Sequence, residues 1–589
     1  MSFHARARST ASWLGLGALL LLGIFAWAPA LHPHYWQTLQ GFVPIFNAGA
    51  PATVAGIGVA PDLWRGAGSA TYLLTQPWII LGQDPTTAVR LAFVLTFVIG
   101  GCAIYAWLRP VFGDLAGGLA GLVYMLQPIF LATVYVHGSL AHALVLAWLP
   151  LALAGLAGSA RHRTLEGAAV AVLAIMALWR TQAGLAVPAT LLLLAYAVLV
   201  ERHWAPTLAV AAAAGAGFVT LLPHWAITAP PPVPFADHFV TVAQLLDVRW
   251  GAGPSTAGWQ DRYPFQLGFT VLAFSALTLW LWLTAAAHRR LWLNDGRNLQ
   301  DSLRRHGSGG ELQARLLGFA FGGSLLLILL TLGGSAPLWQ FSGAHRLLTY
   351  PWEILLLAAP LLAVTAGALP LLLPDLQDAA LPEFDGPVYW FVVIALVVLA
   401  SYPYLAPAYT TVQAPARPAA MFGANQLAVL SAQVTEADGA AVLDITWQVL
   451  QPLPSDDNIF FQAIAASDAE DADEQVVAQL DAQPLGADRP ATTWQPGEIL
   501  TARYTLSLPP TVPLPPASGP GAGAPDAGAA NDVTAPQPTP TTAAAEGQHD
   551  AEAAHERTLR YYFGFYNWQT GARLPVDGGI DDKLVLYAD

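Results

Sequence analysis

Charge, cysteine and lysine are all scarce in this sequence. Only 11% of its residues are charged, against 55% hydrophobic, and the mean hydropathy is +0.48. Soluble domains carry about a quarter charged residues. The shortage therefore excludes an ordinary soluble fold for most of the chain. Cys102 is the one cysteine and lies inside an apolar run, which excludes an internal disulfide framework and a thiolate metal site. Lysine is nearly absent (Lys583), and arginine carries the positive charge. No basic patch of the kind that holds nucleic acid is present. The net charge of -14 is unevenly spread, with more than half of the acids after residue 410.

What the chain does have is long apolar runs. A bilayer core of about 30 Å takes roughly 20 apolar residues per helix. Eleven segments meet or approach this: 11–31, 86–108, 112–129, 138–158, 164–179, 183–200, 206–226, 265–287, 314–334, 351–373 and 386–405. The sequence thus predicts an α-helical polytopic membrane protein of about eleven transmembrane helices over residues 1–410, followed by a different domain over 411–589.

Arginine sets the expected orientation. Arg6, Arg8, Arg109, Arg161, Arg163, Arg202 and the cluster from Arg289 to Arg315 fall on one side of the eleven segments, and that side is the cytoplasm. The N-terminus is then cytoplasmic and the C-terminal domain extracytoplasmic, in a multi-pass protein of the cell membrane. A basic start and small residues near Ala28 and Ala30 also fit a cleaved signal sequence, but the first run is long enough to stay as a span. Two outer loops are long, 32–85 and 224–264. Long loops tend to carry function.

After about residue 422, continuous apolar runs give way to alternation. The segments 441–449, 458–464, 502–508 and 559–566 read as strands separated by Gly and Pro turns, the pattern of an all-β sandwich. Residues 509–556 are rich in Pro, Ala, Gly and Thr and nearly without aromatics, so they read as a disordered insertion within that domain. The acidic run from Asp468 to Glu474 reads as a solvated hairpin tip rather than a calcium site.

Ionisable groups in or beside spans are costly, which makes them functional candidates. The outer loops hold Asp62, Arg65, Asp84, Asp237, His238, Asp247, Arg249, Asp261 and Arg262, with His32, His34, His137, His142, His224 and His345. Glu353 opens the tenth segment and Arg180 closes the fifth. Such a set fits glycosyl transfer from a lipid-phosphate sugar. A carboxylate would take the proton of the acceptor hydroxyl, and arginine or a divalent metal would stabilise the departing phosphate. Each residue also has a plainer reading: Arg180 and Arg346 fit arginines that snorkel to headgroups. His137 and His142 are five apart, a poor match to one helical face, and read as scattered interfacial histidines.

Several stretches resemble a known family. Phe235-Ala236-Asp237-His238-Phe239-Val240, Gln244-Leu245-Leu246, Trp250-Gly251-Ala252-Gly253 and Phe265-Gln266-Leu267-Gly268 form one extended pattern. Tyr135-Val136-His137-Gly138 with His142 and Pro150, Tyr350-Pro351-Trp352-Glu353, and Trp64-Arg65-Gly66-Ala67-Gly68 through Pro77 agree with it. Together they resemble the integral membrane proteins named for a 6-pyruvoyl-tetrahydropterin synthase-related region, which are similar to GT-C-type membrane glycosyltransferases. This chain departs from the family pattern in several places. His137 and His142 stand for its usual Arg and Glu, and Glu353 for an Arg. Where GT-C enzymes generally carry an acid just after the first span, this chain has His32 and His34, and the nearest acid, Asp62, comes late in the loop. The C-terminal segments around Trp447, Phe460-Phe461-Gln462, Trp494-Gln495-Pro496-Gly497 and Gly564-Phe565-Tyr566 are similar to β-sandwich modules that follow membrane glycosyltransferase domains in Chloroflexus-like bacteria.

The resemblance implies a GT-C-like fold in contact with membrane lipid, a polyprenyl-phosphate sugar donor, and a glycan, lipid or protein acceptor. Asp62 is the expected catalytic base; Arg65, Arg180, Asp237, His238, Arg249 and Glu353 are the expected substrate-binding residues. The alternative is a non-catalytic membrane scaffold whose outer sandwich binds a partner or a cell-surface polymer.

Overall fold

A helix satisfies its own backbone hydrogen bonds, so apolar runs of this length fold as helices. The computed structural model describes residues 14–49, 70–221, 235–251, 253, 255, 261, 263–293, 308–372, 386–415, 418–423, 426–437, 439–451, 453, 455–465, 475–509, 559–569, 571–576 and 582–588. Each of the eleven expected segments has its helix. These are α1 (Leu14–Trp27), α2 (Pro85–Phe112), α3 (Asp114–Leu126), α4 (Leu140–His162), α5 (Leu165–Thr181) and α6 (Ala183–Tyr196). They continue with α7 (Trp204–Leu221), α8 (Phe269–Leu293), α9 (Ser308–Thr331), α10 (Leu355–Gly367) and α11 (Gly386–Ser401).

Among the described residues, six helical stretches are long and apolar enough to cross a membrane: Leu14–Leu31, Pro85–Phe112, Asp114–His137, Leu140–His162, Ala183–Glu201 and Glu311–Thr331. They mark the chain as a membrane protein. The chain divides into two compact units. The first is Met1–Arg417 with the short pieces Gly423–Asn425 and Asp577–Ile580; the second is Pro418–Phe422, Gln426–Val576 and Asp581–Asp589.

In the first unit α3 is the central helix, buried from Ala116 to Leu126. It is apolar on every face, as a helix surrounded by other helices must be. Small residues let its neighbours approach closely: a Cβ added at Gly118 would overlap the backbone of Gly15 on α1. The chain turns lie at two ends. At one end, Gly15 N donates to Asp114 Oδ2 (2.7 Å), Gln313 Nε2 donates to the Val111 carbonyl (2.8 Å), and Arg202 pairs with Glu311. Arg109, Arg161 and Arg315 also sit here, so we call it the arginine end. At the other end, Trp36 Nε1 donates to the Val134 carbonyl (2.8 Å), Val240 N to Thr331 O (2.9 Å), and Tyr409 Oη to Pro29 O (3.1 Å). His137, His142 and His345 stand at this histidine end.

The second unit holds eight described strands: β1 (Ala420–Phe422), β2 (Leu427–Ala437), β3 (Ala440–Val449), β4 (Asn458–Ala465), β5 (Gln475–Ala482), β6 (Ile499–Ser507), β7 (Leu559–Tyr566) and β8 (Leu584–Tyr587). They form two antiparallel four-stranded sheets, β1-β2-β3-β6 and β5-β4-β7-β8. Strict alternation on β3 sends Ala441, Leu443, Ile445, Trp447 and Val449 inward. There they join Phe461, Phe563 and Phe565 of the other sheet in one core. The insertion 509–556, apart from its first residue, and the acidic run 468–474 lie outside the described residues.

Candidate functional site at the histidine end

Three local irregularities assemble this site. The first is the end of α3. Pro128 supplies no N–H, so the helix breaks at Gln127, restarts as Pro128–Ala132 and closes with a wide π turn, Thr133–His137. Gly138 follows at φ 75°, a left-handed conformation with Thr38 packed where a Cβ would stand. Ser139 then caps α4 by accepting from His142 N (3.3 Å). His137 and His142 therefore belong to two different helical pieces, and their rings meet edge to face at 5.2 Å.

The second irregularity is the turn between α5 and α6, where Gln182 leaves helical geometry. Its amide N–H donates to His142 Nε2 (3.3 Å). The third is the entry to α10, a 3-10 turn Pro351–Ile354 that carries Trp352 and Glu353 inward. Glu353 is 2% exposed, and its Oε1 lies 3.8 Å from His142 Nε2. Its Oε2 has no hydrogen-bond partner among the described residues, and neither do His137 Nδ1 and Trp352 Nε1. Buried polar atoms are normally paired, so unpaired ones call for water, an ion or a ligand.

Aromatic rings wall the cluster. Tyr263 stacks on Trp352 (4.5 Å), and so does Tyr350 (5.2 Å). The His238 ring meets Tyr350 at 5.0 Å. Behind it runs a polar chain: His238 Nδ1 lies 3.0 Å from Ser255 Oγ, which donates to Asp261 Oδ2 (2.9 Å). The single Ser255 proton goes to Asp261, so His238 Nδ1–H donates to Ser255 and Nε2 is left as an acceptor. Burial pushes the His238 pKa down, against the opposite pull of Asp261 and Asp237, which favours this neutral form. Burial, with the nearby Glu353 and Asp261 carboxylates, pushes the Tyr263 and Tyr350 hydroxyls up, so both stay protonated. Beside Tyr263 and Trp352 lies a cavity of about 20 Å³, reaching Thr133, Phe265 and Leu355. It has room for about one water and none for a sugar ring.

The residues singled out from the sequence distribute unevenly. Asp62 and Arg65 lie outside the described residues. Glu353 and His238 are drawn together through Tyr350 and Trp352. Asp237 is exposed beside His238. Arg249 is a surface residue held by Asp247, with its Nη2 2.9 Å from Oδ2. Arg180 ends α5 two residues before Gln182, and its carbonyl accepts from Ala70 N (3.1 Å). Asp84 caps α2 by accepting from Thr87 N (3.0 Å). Gln182 and Ser255 carry no sequence signal of their own. Among the described residues, no group of three or more His, Cys, Asp or Glu side chains is placed to hold a metal.

The fold and site define a helical membrane protein with a buried histidine–carboxylate cluster at one end and a C-terminal region of two antiparallel sheets. No protein-family model matches the chain, and no curated protein matches it.

Proposed function

We propose that this protein is a GT-C-like membrane glycosyltransferase that crosses the bilayer eleven times. The arginine end faces the cytoplasm with the N-terminus, in keeping with the positive-inside rule. The histidine end and the C-terminal sandwich are extracytoplasmic. The donor is a polyprenyl-phosphate sugar drawn from the membrane, and the acceptor is the hydroxyl of a glycan, lipid or protein. The acceptor oxygen bonds to the anomeric carbon, the bond from that carbon to the phosphate oxygen breaks, and the hydroxyl proton passes to a carboxylate.

One observation carries this reading. Glu353 is a buried carboxyl group with one oxygen 3.8 Å from His142 Nε2 and the other without a hydrogen-bond partner among the described residues. That is what a base awaiting a hydroxyl proton needs, with a histidine behind it. The resemblance adds support. The family pattern has a Glu at position 142 and an Arg at 353; here a histidine stands at 142 and the acid at 353, so the acid has changed sides within the pair.

Asp62 is the base on the sequence reading, and Glu353 is the second carboxylate to weigh against it. The test is turnover of a panel of polyprenyl-phosphate sugars by the purified chain in lipid, with Asp62→Asn and Glu353→Gln alongside. A loss of about 10²–10⁴-fold in one variant, with normal expression, assigns the base to that residue.

A second reading, the non-catalytic scaffold, is favoured by the changed family positions His137, His142 and Glu353. Failure of the wild type to bind or turn over any donor would replace the enzyme reading with this one.

A further inference from the structure

The short helix Ala336–Ser342 follows α9 at the histidine end and divides sharply into two faces. Trp339 is buried, while Leu338 is 62% exposed and Phe341 96%. Leu338 and Phe341 lie one turn apart on the same side of this helix, and exposed apolar patches mark lipid or partner contacts. The same chain indicates which. On α9, Gly322, Leu325, Leu326 and Leu329 are exposed at i, i+3, i+4 and i+7, one unbroken apolar face of a helix long enough to cross a membrane. That face looks at lipid. The exposed Leu338 comes only seven residues after Thr331, the last residue of α9. The exposed Arg346 comes next, at the point where a chain rising through headgroups gains a phosphate partner.

The buried side of the same helix leads to the site. Trp339 Nε1 donates to the Leu330 carbonyl (2.9 Å), and the Trp339 ring packs on Phe235 at 5.3 Å. His345 adds a second tie, its Nδ1 lying 3.1 Å from the Trp339 carbonyl. Phe235 opens the 3-10 turn Phe235–His238, whose last residue is the histidine against Tyr350 and Ser255.

We propose that Ala336–Ser342 is seated in the lipid leaflet at the histidine end, with Leu338 and Phe341 among the acyl chains, and that this seat holds the His238 turn through Trp339 and Phe235. The partner is the bilayer itself. The inference stands whether or not the protein transfers sugar, because nothing in it uses the donor or the acceptor.

The test places a single fluorescent label by Phe341→Cys in a Cys102→Ser background, in the full chain reconstituted into phosphatidylcholine vesicles carrying doxyl-labelled acyl chains. Leu338→Cys serves as the second position if the first variant does not assemble. The label is expected to be quenched several-fold more than the same label at Gln569→Cys, on an exposed turn of the second unit. Equal quenching at the two positions would overturn the lipid seat. Hydrogen exchange then reads the coupling, because Leu338 and Phe341 are both surface residues. With Leu338→Ser and Phe341→Ser combined, the amides of 235–246 are expected to exchange several-fold faster while those of 427–449 do not change. Unchanged exchange over 235–246 would sever the link between the seat and the His238 turn.

Discussion

The two ends of the helical unit each bury a cluster of ionisable side chains, and they treat it in opposite ways. At the arginine end, Arg161 reaches Glu201 through Nη2 (2.6 Å) and Nε (3.0 Å), the Tyr196 hydroxyl (3.0 Å) and the Trp107 carbonyl (3.3 Å). Tyr196 itself donates to Glu201 and accepts from Trp107 Nε1 (2.8 Å). The charges cancel, the planar guanidinium is used in a fork, and α2, α4 and α6 are tied together. At the histidine end, the Glu353–His142 contact is 3.8 Å long, beyond hydrogen-bond reach, and Glu353 Oε2 and His137 Nδ1 have no hydrogen-bond partner among the described residues. A completed network holds helices in place. An incomplete one costs stability and persists where the open valence is used.

The sharpest way to break this comparison is to remove one partner from each cluster. Arg161→Ala leaves the Glu201 carboxylate, with a side chain only 3% exposed, buried without its cation. The expected loss is about 3–5 kcal/mol, read as a large drop in thermal unfolding temperature in detergent or as failure to accumulate. Glu353→Gln keeps the shape of its side chain and replaces a carboxyl group whose contacts are loose. Its stability should change by no more than about 1 kcal/mol in either direction, while turnover falls. If Glu353→Gln proved as destabilising as Arg161→Ala, both clusters would be structural and the distinction between the ends would disappear.

A smaller effect separates the shape of the site from its chemistry. Gly138→Ala forces a left-handed conformation on a residue with a Cβ and drives that Cβ into Thr38. Backbone strain alone costs about 1–3 kcal/mol. The His137–His142 ring contact should loosen, with a several-fold loss of turnover that Glu353 cannot rescue. Unchanged unfolding and turnover in this variant would mean that the turn does not set the histidine geometry.

Much of the fold could be read from the sequence because hydropathy is a long-range average. Each of the eleven apolar segments coincides with a helix, and the strands β3, β4, β6 and β7 fall where alternation placed them. The boundaries were harder. The segment expected over 112–129 runs on to His137, because a π turn resumes the helical path after Pro128. The site was legible in its parts and not in its assembly. His137 and His142 looked unrelated because five residues do not share a helical face, and that rule fails here: Gly138 and Ser139 end one helix and begin another between them. Glu353 and His238 stood out as ionisable groups near spans, but Gln182 and Ser255 are ordinary polar residues until the fold brings them beside the histidines. Of the β-region's other four strands, β1 and β8 are too short to show a period, β5 is an edge strand exposed on both sides, and β2 opens with a buried run, Leu427–Val429, that a bulge separates from its alternating part.

The finest comparison lies within the histidine end, between the buried pair and the polar chain beside it. His238 faces Ser255, Tyr350, Asp261 and Asp237. Burial lowers its pKa below the ordinary 6.5, so the folded turn favours the neutral ring and the unfolded chain takes up the proton more readily. The resulting stability is fully present above about pH 6.5 and is lost as pH falls through and below that value. Amide exchange over residues 235–246, corrected for its intrinsic pH dependence, should therefore quicken on acidification below about pH 6.5. His238→Gln should flatten the response. An unchanged pH profile in that variant would shift the response to another titrating group, and the His238–Ser255–Asp261 chain would then be read as a fixed strut holding the loop against Tyr350, not as a proton-responsive wall of the site.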